Sequence, residues 1–164
     1  MKTLHPLPLT AEAFAPFGTV TEMPAETGTN GIAAHAVSRA FLATERAPEP
    51  VLNLVRVEAI PKLLVVTQLE IHPHSGQSFL ALDGAPSLIV VCQPDAQGRP
   101  DPEALLAFIA RSDQVVTYDR GVLHHRLTPL RAAASFAMAM RQTGRGEDTV
   151  LLDLSDPVKV ILGE

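Results

Sequence analysis

The chain has 164 residues, 46% of them apolar and 19% charged, with 18 acidic against 13 basic side chains and a net charge of −5. That balance excludes a mostly disordered chain, and the acidic excess argues against a nucleic-acid surface, which needs clustered Lys and Arg. At this length folding hides roughly 70% of the surface an unfolded chain exposes, so residues 1–164 are expected to form one domain around one core.

The opening segment, MKTLHPLPLT, has one lysine and two prolines and lacks the long apolar stretch of a secretory signal. A short helix is expected next: Thr10 can cap it, Glu12 lies in its first turn, Ala13 and Phe14 turn inward, and Pro16 and Gly18 stop it. Met23–Gly31 reads as a turn-forming loop. Extended segments follow at Val51–Ala59, Leu63–Ile71, Phe79–Leu82 and Ser87–Gln93, the last two divided by the turn Asp83-Gly84-Ala85-Pro86. The lone Cys92 cannot close an internal disulfide, which suits a reducing cytoplasm.

After the polar loop Pro94–Pro100 a second helix is predicted. Asp101 suits the N-cap and Pro102 the first helical position, Glu103 favours the helix dipole, and Leu105, Leu106, Phe108 and Ile109 make an apolar stripe at helical spacing. Strands resume at Val115–Tyr118, Val122–Leu127 and Ser135–Arg141. In the last, Phe136, Met138 and Met140 share one side and Ser135, Ala137, Ala139 and Arg141 the other. Thr149–Leu154 and Val158–Leu162 close the chain, parted by Ser155-Asp156-Pro157.

Many short strands with about two short helices predict a mainly β protein, a sandwich or barrel with a pocket in its mouth. Regular strand–helix alternation and internal repeats are both absent from the sequence, which argues against a doubly wound sheet and a solenoid. Apolar runs such as Leu63–Val66 and Leu88–Cys92 are too short to cross a bilayer. The expectation is a cytoplasmic protein with neither a membrane nor a nucleic-acid partner.

Two clusters carry chemistry. In Glu70-Ile71-His72-Pro73-His74-Ser75-Gly76-Gln77, a regular strand would project Glu70, His72 and His74 to the same side, and Gln77 could return its amide toward them. Two imidazoles and an oxygen donor suit a borderline divalent metal. The second cluster is Tyr118-Asp119-Arg120-Gly121-Val122-Leu123-His124-His125. Gly121 permits a tight bend, His124 is expected to face inward, and His125 then points the other way.

Together the clusters resemble the cupin superfamily: His72-x-His74, with six residues between Gln77 and Gly84, matches its first motif in part, and Gly121-Val-Leu-His124 matches the end of its second. A wider resemblance, carried by LTAEAFAPFGTV, LEIHPHSGQSFLALDG, PDPEALLAFIA and QVVTYDRGVLHHRL in that order, is to the ureidoglycolate lyase family. It implies a cupin-like double-stranded β-barrel (jelly roll), a homodimer and a role in using allantoin-derived nitrogen. Departures from the family pattern are Ile71 for an arginine, Leu123 for a tryptophan, and the loss of two aspartates from the Ser135–Gln142 stretch, where Arg141 remains.

The substrate so implied is a small carboxylate in which one carbon bears hydroxyl, carboxylate and ureido nitrogen. Its cleavage to glyoxylate and urea consumes no water; it needs a base for the hydroxyl proton, an acid for the departing nitrogen and a cation for the carboxylate. His124 is the first candidate for proton transfer and Glu70 the second, with Tyr118 as a hydrogen-bond donor to substrate. Arg141 is the candidate carboxylate fork, beside the small Ala137 and Ala139. A divalent ion (Zn, Mn, Ni or Fe) held by His72, His74, Gln77 and His124 could polarise the hydroxyl; without metal, His72 and Gln77 would bind substrate oxygens directly. The alternatives are a metal-dependent cupin of another class and a non-enzymatic sensor of a small acid.

Overall fold

The computed structural model describes residues 1–28, 33–38, 42–60 and 62–162. The strands are β1 (Thr3–Leu4), β2 (Leu7–Pro8), β3 (Gly18–Glu22), β4 (Glu49–Val57), β5 (Leu63–Ile71), β6 (Gln77–Ala81), β7 (Ser87–Pro94), β8 (Pro100–Ala110), β9 (Gln114–Tyr118), β10 (Leu123–His124), β11 (Thr128–Pro129), β12 (Ala134–Gln142) and β13 (Val150–Ile161). The one helix among the described residues, α1 (Ala11–Phe14), begins as expected: the Thr10 hydroxyl accepts a hydrogen bond from the Ala13 N–H at 3.2 Å. Residues 29–31 of the expected loop at Met23–Gly31 lie outside the described residues, and Met23–Gly28 is neither helix nor strand.

The strands form two sheets, one in the order β1-β13-β5-β10-β7-β8-β2 with β11 beside β7, the other β3-β9-β6-β12-β4. The result is mainly β and jelly-roll-like, as expected. The N-terminal segment clips both ends of the larger sheet, since β1 pairs with β13 and β2 with β8, both in parallel. That sheet therefore curls, and its two faces meet different cores. Leu88, Val90 and Cys92 of β7, with Leu105 and Ala107 of β8, pack inside the curl. Ile89, Val91, Phe108 and Ala110, next to them in sequence, pack between the two sheets against Phe79, Tyr118 and Phe136.

Burial on both faces overturns the expected second helix. Asp101–Ile109 is the body of β8, paired along its length with β7. A strand covered on both sides loses its polar alternation, so its apolar run imitates a helical stripe. The Asp101 carboxylate does accept the Glu103 N–H at 2.9 Å, but as a local turn at the start of a strand. Two smaller corrections follow. Ser155-Asp156-Pro157 is no turn between strands; it lies in a register shift inside the continuous β13. Val122–Leu127 contains only the two-residue β10 and the unpaired residues beyond it.

Strand β3 was not evident in the sequence. It enters at Gly18, whose φ is 146° and where an added Cβ would lie 1.9 Å from the Thr117 carbonyl oxygen. Only glycine permits this approach, which sets β3 in register with β9, Gly18 opposite Tyr118. The fully buried Phe14 then packs edge-on against Tyr118, with ring centroids 5.8 Å apart.

Candidate active site

Five side chains converge where the two sheets face each other. The larger sheet supplies Glu70 from β5 and His124 from β10, which are register partners. His72 follows the end of β5. The smaller sheet supplies Gln77 from β6 and Tyr118 from β9, also register partners. His72, Gln77, Tyr118 and His124 are buried, whereas the Glu70 side chain keeps 21% of its surface exposed.

Both imidazoles are held by their Nδ1 atoms. His124 Nδ1 lies 2.9 Å from the Val122 carbonyl oxygen, and His72 Nδ1 lies 2.9 Å from that of Asp148. A carbonyl only accepts, so each Nδ1 carries a proton and each Nε2 faces the cluster. The Gly121 N–H donates to the His72 carbonyl at 3.0 Å, tying the bend before β10 to the end of β5; Gly121 takes a φ of 79° there. His124 Nε2 stands 3.4 Å from a Glu70 carboxylate oxygen, close enough for an ion pair but without hydrogen-bond alignment. The two imidazole centroids are 5.2 Å apart, and Tyr118 stacks on His124 at 4.1 Å with 14° between the rings.

Four buried polar atoms here have no partner: Nε2 of His72, Nε2 of His124, Oε1 of Gln77 and the Tyr118 hydroxyl. Buried polar groups are nearly always satisfied, so this concentration singles the cluster out as the candidate site. Burial, with the charge of His124 adding to it, lowers the His72 pKa and keeps its ring neutral. Burial alone would raise the Glu70 carboxyl, but His124 first, then the charges of His72 and His125, outweigh it and the net shift is downward. Burial, aided by the negative Glu70, pushes the Tyr118 phenol well up, so it stays protonated and can donate.

The donor set fits a metal. One atom each from Glu70, His72 and His124 lies within 4.8 Å of the other two. Histidine ligands commonly give their second N–H to a backbone carbonyl, as both do here. The group departs from the sequence expectation: Glu70 belongs to it, His74 does not, and Gln77 stands beside it with Oε1 unpartnered. The regular strand ends at Ile71 and the chain bends at Pro73 and His74, so the alternation that would have carried His74 to the side of His72 is lost.

Arg141 is not brought to the cluster. Its neighbour Met140 faces inward, with its sulfur 3.8 Å from the Gln77 amide nitrogen, and Arg141 points away. Its guanidinium donates to the carbonyls of Ala47 and Pro48, where it clasps the segment leading into β4. His125 turns from the cluster as expected, its Nδ1 3.0 Å from the Arg126 carbonyl oxygen; burial pushes its pKa down to about 4. The carbonyls of Val122 and Asp148 that fix the two rings were missed by sequence reasoning, because backbone acceptors leave no mark in composition.

The ureidoglycolate lyase family profile matches residues 1–161. The chain belongs to the ureidoglycolate lyase family. A relative from Agrobacterium fabrum, provisionally named a ureidoglycolate lyase, is 48% identical over the whole of this chain and 98% of its own length. The ureidoglycolate lyase of the same organism is 39% identical over 82% of each chain, and that of Pseudomonas savastanoi pv. phaseolicola is 34% identical over 90% of this chain and 88% of its own. Among solved structures, RmlC from Streptococcus suis, in complex with dTDP-D-xylose, superposes with a TM-score of 0.50 over 87% of this chain and 72% of that one, at 12% identity. That likeness supports the cupin-like jelly roll and, at such identity, the fold alone. As a member of this family the chain is a lyase, and the group of Glu70, His72 and His124 is one that could hold a metal ion.

The unpartnered phenol makes one expectation specific. Tyr118→Phe should raise stability by about 1–3 kcal/mol, because it removes a buried hydroxyl with no partner while keeping the ring stacked on His124. Urea unfolding of the two proteins measures this; a loss of stability would mean that the hydroxyl is satisfied after all.

Proposed function

We propose that this chain cleaves ureidoglycolate to glyoxylate and urea, with the Glu70–His124 pair as its proton acceptor. The observation that carries the reading is this pair beside three further unpartnered polar atoms, in a chain of the lyase family. Glu70 is the member that meets solvent, and it is anionic. It receives the hydroxyl proton and passes it to the Nε2 lone pair of His124, where an imidazolium forms beside a carboxylate. As the C–O bond becomes a carbonyl, the C–N bond breaks and its electrons go to the ureido nitrogen. The imidazolium proton returns through the pair to that nitrogen, so urea leaves neutral and no water is consumed. Tyr118 offers a neutral donor, and Gln77 Oε1 an acceptor suited to a ureido N–H.

A second reading rests on the donor set itself. His72, His124 and Glu70 would hold one divalent ion (Zn, Mn, Ni or Fe), which supplies Lewis-acid polarisation of the substrate hydroxyl when bound. In the first reading His72 Nε2 instead accepts a hydrogen bond from the substrate.

The enzyme so read works in the cytoplasm, where Cys92 stays reduced. No helix among the described residues is long and apolar enough to cross a membrane. The assembly is proposed to be a homodimer. β4 is the nine-residue outer edge of the smaller sheet, and Leu52 and Leu54 on it are 71% and 76% exposed. A second copy laid along this edge would pair its open backbone groups and cover both leucines.

Purified protein is expected to release glyoxylate and urea in equal amounts without ammonia; ammonia would indicate an amide hydrolase. His124→Ala should lower kcat/KM by about 10²–10⁴-fold with the fold intact, whereas His74→Ala should leave it unchanged. Activity should survive chelation and exhaustive dialysis; loss restored by one divalent metal would favour the second reading. Light scattering should give a mass of two chains, and Leu54→Lys should reduce it to one.

A further inference from the structure

A surface slot reaches Glu70, the more exposed member of the proposed pair. β10 pairs with β5 at a single position, His124 opposite Glu70. Beyond that point Leu64–Gln68 of β5 has no partner strand on the β10 side among the described residues. The chain that leaves β10 through His125 and Arg126 diverges, and a slot of about 370 Å³ opens between the two. Thr67 and Gln68 line one wall, His125 and Arg126 the other, with Glu70 and Leu151 completing it. Glu70 is thus shared: its carboxylate meets His124, and the residue also lines the slot.

This geometry poses an electrostatic problem for an anionic substrate. Glu70 is a carboxylate lining the slot, so a second carboxylate entering there needs a cation to offset it. Arg126 is the arginine in the slot wall, and it is exposed. Arg46, Arg56, Arg99 and Arg111 each pair with a carboxylate, and Arg141 is spent on backbone carbonyls. Among the described residues Arg126, Arg131 and Arg145 have no such partner, and of these Arg126 lines the slot. A guanidinium presents the two parallel donors that a carboxylate accepts.

We infer that the slot beside β10 admits the substrate to the Glu70–His124 pair and that Arg126 receives its carboxylate. The inference rests on the proposed lyase reading and adds the route of approach and the specificity residue. Held at Arg126, the substrate turns its hydroxyl-bearing carbon toward Glu70. A neutral analogue with an amide in place of the carboxylate gains nothing from Arg126 and is discriminated against.

The test is steady-state kinetics of Arg126→Gln and Arg126→Lys beside the parent, with glyoxylate as a competitive inhibitor. Arg126→Gln is expected to raise KM for ureidoglycolate at least tenfold, to keep kcat within about threefold, and to weaken glyoxylate inhibition by the same factor as KM; Arg126→Lys should recover part of both. Thr67→Trp, an exposed position in the slot wall, should lower kcat/KM at least tenfold with an unchanged melting temperature. An unaltered KM and unaltered glyoxylate inhibition in Arg126→Gln would overturn the carboxylate role, and full activity of Thr67→Trp the route. If the parent does not turn over ureidoglycolate, the lyase reading fails by itself. Calorimetric titration with glyoxylate then decides the slot: binding weakened at least tenfold in Arg126→Gln supports it, and equal binding, or none to the parent, overturns it.

Discussion

The site depends on two hydrogen bonds from imidazole N–H groups to backbone carbonyls, His124 to Val122 and His72 to Asp148. Each bond fixes a tautomer and a ring direction at once. Without them the rings could rotate and satisfy their Nε2 atoms elsewhere. With them, two Nε2 atoms are aimed at the space beside the Glu70 carboxylate. The backbone positions are secured in turn. The Asp148 carboxylate accepts from the Thr143 N–H and hydroxyl, and the bend before β10 is tied to the His72 carbonyl through Gly121. The chemistry of the cluster is therefore set by main-chain geometry, and the side chains inherit it.

The aromatic column behind the cluster serves the same end. Phe14 packs on Tyr118, and Tyr118 stacks on His124, so the only helix among the described residues braces the His124 ring through one intermediate. The core between the sheets runs into the site without a break, since Tyr118 belongs to both. Burial that stabilises the sheets also shields His124 and raises the Tyr118 phenol.

Much of this was legible in the sequence. Alternation in Ser135–Arg141 put Phe136 and Met140 on one side, and both are buried, while the two histidine clusters pointed to the convergence of His72, His124, Glu70, Gln77 and Tyr118. Reading failed where a local rule met a tertiary constraint. Residues Asp101–Ile109 carry helix-start chemistry, yet burial on both faces makes them a strand. His74 obeys strand parity only if the strand continues, and Pro73 marks where it does not. Arg141 had the right chemistry on a face with room, but the carbonyls of Ala47 and Pro48 that claim it are some ninety residues away in the chain. Contacts that distant leave no local signal. The slot beside β10 was equally invisible, because it arises from a strand that stops after two residues.

The clip formed by the N-terminal segment has a consequence for how the molecule is made. Thr3 and Leu4 pair with Lys159 and Val160, so the first residues of the chain await almost the last ones before the curl can shut. Closing so long a loop is entropically costly and contributes to high contact order, which slows folding. A nascent chain would hold the apolar strands β7 and β8 assembled but uncapped until β13 emerged, with β8 still lacking the cover of its neighbour across the curl. During that interval the interior is open to solvent and to other chains, and the hazard of misassembly is set by the ends of the polypeptide rather than by its middle.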